Sequence, residues 1–269
     1  MKTLDSTIAK QSSYQARKIS ESLHNKIVKD FKKAKSKVLF LDYDGTLQRY
    51  FDKPQAAAPD NELYELLDQI VKMENVHLVL VSGRDRNTIE SWFGNKNYNL
   101  IAEHGAWERK TGENWLDKKT LDSDWKEKIL PILESFVDST AGSLIEEKDY
   151  SLVWHYRKAD IELGVLRALE LRHTLSNLIL NQEVEIIEGK KLIEIKASGI
   201  NKGTAALEFL KGKSADFILA FGDGTTDEFL FKVLPENSYA VKVGSENSIA
   251  DYYVANYKEV RNFLKDLLK

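Results

Sequence analysis

The chain has 269 residues, long enough for one large domain or two modest ones, and its 42% hydrophobic and 30% charged content argues against a disordered or membrane-embedded polypeptide. A formal net charge of -3 supplies no global field for nucleic acid or an anionic membrane, so anions must be bound by locally placed Lys, Arg or backbone N–H groups. The absence of cysteine removes disulfides, thiol nucleophiles and thiolate metal sites; with no signal-peptide core in residues 1–30 and no apolar run of roughly 20 residues, a cytoplasmic protein without membrane or nucleic-acid partners is expected.

Residues 1–36 read as an N-terminal helical extension, because Leu23, Ile27, Val28 and Phe31 recur at helical spacing among charged residues. The lysines at 32, 33, 35 and 37 are read as a solvated helix end. Val38-Leu39-Phe40-Leu41 is apolar at every position and closed by Asp42, the pattern of a strand covered on both faces. Leu63, Leu66, Leu67, Ile70 and Val71 then follow helix period behind Pro59-Asp60, and Val76 to Val81 forms a second buried strand ending at Ser82-Gly83. Together these make a β-α-β unit.

From about 110 to 195 the pattern changes. Strands over 143–148, 152–157, 184–189 and 191–196 surround a helix over 161–180, which predicts a separate α+β cap at 111–195. Helical patterns at 203–210 and 226–234 then alternate with strands at 216–221 and 238–243. The expected fold class is therefore α/β: a doubly wound, Rossmann-like parallel sheet from 37–110 and 196–269, with the cap inserted.

Three of these strands end in usable chemistry: Asp42-Tyr43-Asp44-Gly45-Thr46, Ser82-Gly83-Arg84, and Gly222-Asp223 to Asp227-Glu228. Ligands of open α/β sheets bind at the carboxyl ends of strands, so these segments are expected to converge. Clustered carboxylates repel unless neutralised, and an all-oxygen set suits a hard cation such as Mg²⁺. A calcium loop fails because Leu47 and Lys53 stand where its glycine and final acid belong, and Ser82 lacks the Gly-x-Ser-x-Gly of an acyl-transfer serine.

Leu41 to Leu47, Ser82, Lys202 and Gly222-Asp223 to Asp227 resemble, in that order, the four motifs of haloacid dehalogenase-like phosphatases. Val81-Ser82-Gly83-Arg84, Ala102-Glu103-His104-Gly105, Trp154-His155-Tyr156-Arg157 and Gly199 to Gly203 further resemble the trehalose-6-phosphate phosphatase branch, from about Lys37 to the C-terminus. The resemblance implies hydrolysis of trehalose 6-phosphate through an aspartyl-phosphate. It makes Asp42 the nucleophile, Asp44 the general acid and base, and Ser82 and Lys202 the phosphoryl ligands; Ser82 reads equally as a helix N-cap. Mg²⁺ is then held by Asp42, the backbone carbonyl of Asp44, and Asp223, with Asp227 in support. Substrate-reading positions are Arg84, His104, Glu146, Lys148, Arg157, Lys190 and Glu194, while Trp107, Trp115 and Trp154 either stack on sugar or fill the cap core.

Two alternatives stand beside this reading. One is a phosphatase of another sugar phosphate such as sucrose 6-phosphate; the other is a regulatory phosphatase-like domain of a trehalose-phosphate synthase, with a synthase subunit or domain as partner. One departure is visible: the family usually carries a second aspartate after the last Gly-Asp, where this chain has Gly224.

Overall fold

The computed structural model describes residues 15–51, 53–117, 124–180 and 182–269. The chain opens with β1 (Arg17–Lys18) and α1 (Glu21–Lys33), followed by β2 (Lys37–Asp42), α2 (Asn61–Ile70), β3 (Val76–Val81) and α3 (Arg86–Phe93). Next come β4 (Asn99–Ala102), β5 (Trp107–Arg109), β6 (Leu116–Asp117) and α4 (Asp124–Asp138), then β7 (Leu144–Glu147), β8 (Ser151–His155) and α5 (Ile161–Leu178). β9 (Val184–Gly189), β10 (Leu192–Ala197), α6 (Lys202–Leu210), β11 (Phe217–Gly222), α7 (Thr225–Val233), β12 (Tyr239–Val243), β13 (Tyr252–Val254) and α8 (Tyr257–Leu267) complete it.

The large sheet has the order β1-β13-β12-β11-β2-β3-β4-β5-β6, parallel from β1 to β4, with β5 and β6 added antiparallel. Alternation along β2 explains its uniform apolarity. Leu39 and Leu41 join the side covered by α1, α2, α3 and α8, whereas Val38 and Phe40 join the side covered by α6 and α7. A strand sandwiched this way has no wet face. Its central position makes β2 and β11, from opposite halves of the chain, immediate neighbours at the topological switch point.

The second sheet, β7-β8-β10-β9, is antiparallel and packs on α4 and α5 around Leu133, Leu152, Trp154, Leu171, Leu175 and Ile195. Trp154 is fully buried there, stacked 5.1 Å from Tyr156. The large sheet runs on through Leu116–Asp117, beyond residue 110, and β10 continues past residue 195 to Ala197.

At the N-terminus, residues 17 and 18 pair in parallel with Tyr252 and Tyr253, so this segment forms an edge of the core sheet ahead of α1. A two-residue edge strand leaves too short a pattern to read from sequence. The expected helical extension over residues 1–14 lies outside the described residues. Among the described residues, no helix is long and apolar enough to cross a membrane.

Candidate active site

The site begins where β2 and β11 end. Leu41 pairs with Phe221, so Asp42 and Asp223 leave the sheet side by side. Asp227 arrives from the first turn of α7, its Oδ2 accepting the Gly224 N–H at 2.9 Å. The three residues offer carboxylate oxygens that all lie within 4.8 Å of one another. Lys202 enters from the N-terminus of α6, where Asn201 and Thr204 form a capping box. Its Nζ donates to Asp42 Oδ1 at 2.6 Å and to Asp227 Oδ1 at 2.8 Å, and all three side chains are buried.

Three acids share one ammonium at the floor of the cleft. Asp42 Oδ2 is buried without a hydrogen-bond partner, which makes it available to a ligand. That oxygen-only donor set fits a hard divalent cation such as Mg²⁺, with Asp42, Asp223 and Asp227 as the side chains to hold it. The Asp44 carboxylate stands apart: Arg84 donates to both of its oxygens, Nε to Oδ2 and Nη2 to Oδ1, each at 2.7 Å. Gly45 is required at the turn between them. Its φ is +86°, and a Cβ there would lie 2.1 Å from Asp223 Oδ2.

Burial pushes the Asp42 carboxyl well above its ordinary value; Lys202 opposes this, and the charges of Asp227 and Asp223 add to it. Burial, with Asp227 adjacent, pushes Asp223 up to about 6. For Lys202 burial acts downward, but the charges of Asp227 and Asp42 outweigh it and hold the ammonium above the usual lysine range.

The cap sheet forms the roof of a cleft of about 1310 Å³, lined by Asp42, Asp44, Arg84, Lys202, Asp223 and Asp227 below and by Glu146, Lys148, Arg157, Lys190 and Glu194 above. His104 also lines it, its Nε2 3.2 Å from Glu194 Oε2. Lys148 Nζ lies 3.5 Å from Glu194 Oε1 and donates to the Gly83 carbonyl at 2.9 Å, so cap and core meet through charged groups. Burial acts to raise Glu194, yet Lys148 and His104 hold it well below the carboxylate range. Arg157 donates to the Lys190 carbonyl at 3.2 Å.

The loop after β4 makes this possible. Glu103 and His104 have φ of 46° and 59°, a left-handed pair without glycine, held by Glu103 N–H to Arg84 O and His104 N–H to Ser82 O, both 3.0 Å. The His104 ring packs so closely on Gly83 that a Cβ at 83 would lie 2.4 Å from Cε1.

Ser82 does not line the cleft: it is buried, and its Oγ accepts the Arg84 N–H at 3.1 Å. Asp85, not Ser82, caps α3. Trp107, Trp115 and Trp154 also lie off the cleft, and the indole lining it is Trp92, with the Arg84 guanidinium 4.6 Å above its ring. Residues that sequence reasoning missed include Tyr50, whose hydroxyl donates to Asp223 Oδ2 at 2.9 Å, and His155, whose Nε2 is 2.7 Å from Glu146 Oε2. His155 stands inside the Trp154-His155-Tyr156-Arg157 motif. Tyr50 lies 173 residues from its partner and carries no local signal.

A family model described as Trehalose-phosphatase matches residues 40–258. The chain belongs to the trehalose-phosphatase family. It is 37% identical over 243 residues to a bifunctional trehalose-6-phosphate synthase/phosphatase of Thermoproteus tenax, covering 90% of this chain and 33% of that one. It is 36% identical over 254 residues to a trehalose-phosphatase of Schizosaccharomyces pombe, covering 88% and 31%. Among solved structures, the C-terminal domain of C. albicans trehalose-6-phosphate phosphatase superposes with a TM-score of 0.89 at 28% identity, covering 96% of this chain and 99% of that one. The chain thus spans about a third of the length of the relatives it matches by sequence.

For a trehalose-phosphatase family member, the departure at Gly224 has a local structural setting. Its carbonyl accepts from Lys242 Nζ at 3.0 Å, and Lys242 also donates to Glu228 at 2.9 Å. Glu228 further accepts from Ser248 and the Ile249 N–H, which ties it into the wall rather than the acid cluster. A Cβ at 224 would meet Asp227 Oδ2 at an ordinary 3.5 Å, so the position has room for a side chain.

Proposed function

We propose that this chain hydrolyses trehalose 6-phosphate to trehalose and phosphate through an aspartyl-phosphate on Asp42. The observation that carries the reading is the buried Asp42–Lys202–Asp227 chain beside Asp223, at the floor of a cleft whose roof presents Glu146, Lys148 and Glu194. A carboxylate aligned against phosphorus forms the new P–O bond as the sugar P–O bond breaks. Asp44 delivers the proton to the departing sugar oxygen, then takes one from the water that attacks phosphorus and regenerates the Asp42 carboxylate.

Lys202 counters charge on the transferring phosphoryl group, and Arg84 holds Asp44 at the cleft through both carboxylate oxygens, one of which Arg84 releases before Asp44 carries the proton to the leaving group. Bound Mg²⁺, carried by Asp42, Asp223, Asp227 and the Asp44 carbonyl, would supply further charge neutralisation and substrate alignment. Ser82 is assigned to shaping the loop that carries Gly83 and Arg84, its Oγ accepting the Arg84 N–H. His104, Glu146, Lys148, Arg157, Lys190 and Glu194 are assigned to the sugar, carboxylates accepting from hydroxyls and cations donating to them.

A trehalose-phosphate synthase subunit or domain is the proposed partner, supported by the fused architecture of the T. tenax relative. The cysteine-free composition supports placing the reaction in the cytoplasm. The test is phosphate release from trehalose 6-phosphate, sucrose 6-phosphate and glucose 6-phosphate, with and without chelator. Mg²⁺-dependent release favouring trehalose 6-phosphate is expected; equal rates on all three would refute the substrate, and chelator-insensitive release would refute the metal.

A further inference from the structure

Tyr50 stands on the loop after the β2 turn, half-buried, and touches both halves of the cleft. Its hydroxyl donates to Asp223 Oδ2 at 2.9 Å and Oδ1 at 3.2 Å. The ring packs over Gly45, with Cε2 only 2.7 Å from where a Cβ would stand. From the cap, Lys190 Nζ lies 4.7 Å from the ring centroid and the Arg157 guanidinium carbon 5.8 Å, the two joined by the Arg157 hydrogen bond to the Lys190 carbonyl. One aromatic side chain thus carries an acid of the cation cluster on its hydroxyl and two cap cations on its ring.

We propose that Tyr50 is a positioning residue that couples cation binding at Asp223 to seating of the cap, a reading that rests on the metal assignment above. A hydrogen bond to a ligating carboxylate fixes which oxygen faces the cation. Fixing the carboxylate fixes the phenol in turn, and so presents the ring to Lys190 and Arg157, whose attraction to an aromatic face depends on its orientation. Because such coupling is reciprocal, a seated cap also favours the cation-ready Asp223. The hydroxyl and the ring are separable parts of this device.

The test uses the whole chain with Mg²⁺ alone as probe. Calorimetric Mg²⁺ affinity is measured together with hydrogen exchange of residues 187–192, the β9–β10 turn. Tyr50→Phe is expected to weaken Mg²⁺ binding about tenfold and to abolish the slowing of turn exchange that saturating Mg²⁺ produces in the unaltered protein. Tyr50→Leu is expected to lose affinity to the same degree and to speed exchange of the turn, with near-ultraviolet circular dichroism confirming that both variants fold. Unchanged or tighter Mg²⁺ binding by Tyr50→Phe, or turn exchange in Tyr50→Leu equal to that of the unaltered protein, overturns the inference alone. Failure of the unaltered protein to bind Mg²⁺ overturns the metal assignment and the inference with it.

Discussion

Lys202 Nζ lies 2.6 Å from Asp42 Oδ1 although 160 residues separate the two in sequence, and neither side chain is more than 6% exposed. A buried ammonium shared between Asp42 and Asp227 holds the Asp42 carboxylate through one oxygen and leaves the other, Oδ2, without a partner.

Asp42→Asn preserves the shape and an oxygen for the bond to Lys202 while removing the carboxylate proposed to attack phosphorus. Turnover of trehalose 6-phosphate is expected to fall by about 10⁴-fold or more. Because Asp42 is a buried acid whose ionisation is disfavoured in the fold, its neutralisation is not expected to lower the melting temperature. Phosphate release and thermal unfolding of one preparation check both halves; substantial residual hydrolysis removes Asp42 from the role.

Lys202→Met leaves Asp42 and Asp227 facing each other without their shared cation. A loss of about 3–5 kcal/mol is expected, typical of breaking one side of a buried ion pair. Mg²⁺ should then raise the melting temperature of the variant more than that of the unaltered protein, since it takes over the missing positive charge. Parallel melts with and without Mg²⁺ measure this, and an equal shift in both proteins speaks against a shared charge-balancing role.

Glu146→Ala and Lys148→Ala test the roof. Each removes a charged hydrogen-bonding group facing the cleft, so kcat/KM for trehalose 6-phosphate should fall about 10- to 100-fold, with a much smaller loss on a compact aryl phosphate that does not reach the cap. Lys148→Ala also deletes the contact with the Gly83 carbonyl and is expected to show the larger effect. Parallel losses on both substrates contradict a sugar-reading cap.

Glu103 supplies a pH dependence. Burial raises its carboxyl from 4.5 to about 7, offset in part by the hydrogen bond from the Tyr150 N–H. The folded state therefore binds a proton more readily than the unfolded chain, so this contribution is fully present below pH 4.5 and is lost as pH rises through about 7. Glu103→Gln, which cannot ionise, should match the unaltered protein near pH 4 and gain about 1–3 kcal/mol over it by pH 8. Denaturant melts across that range decide; a difference constant with pH means that Glu103 does not titrate there.

The fold class was legible in the chain because strands buried on both faces read as unbroken apolar runs, as at Val38 to Leu41, and their helices repeat at 3.6 residues, as at Leu63 to Ile70. The acids and the lysine were legible because Asp42 ends β2, Asp44 and Asp223 stand just past strand ends, Asp227 lies in the first turn of α7 and Lys202 begins α6. What only the tertiary structure decided were the partnerships: Arg84 with Asp44, Tyr50 with Asp223, His155 with Glu146, and Trp92 rather than Trp154 in the cleft. These contacts arise from packing between segments distant in sequence or across a sheet. Local propensity and periodicity specify elements and their faces, whereas the direction of a polar side chain in a cleft is set by whatever the rest of the chain brings opposite it.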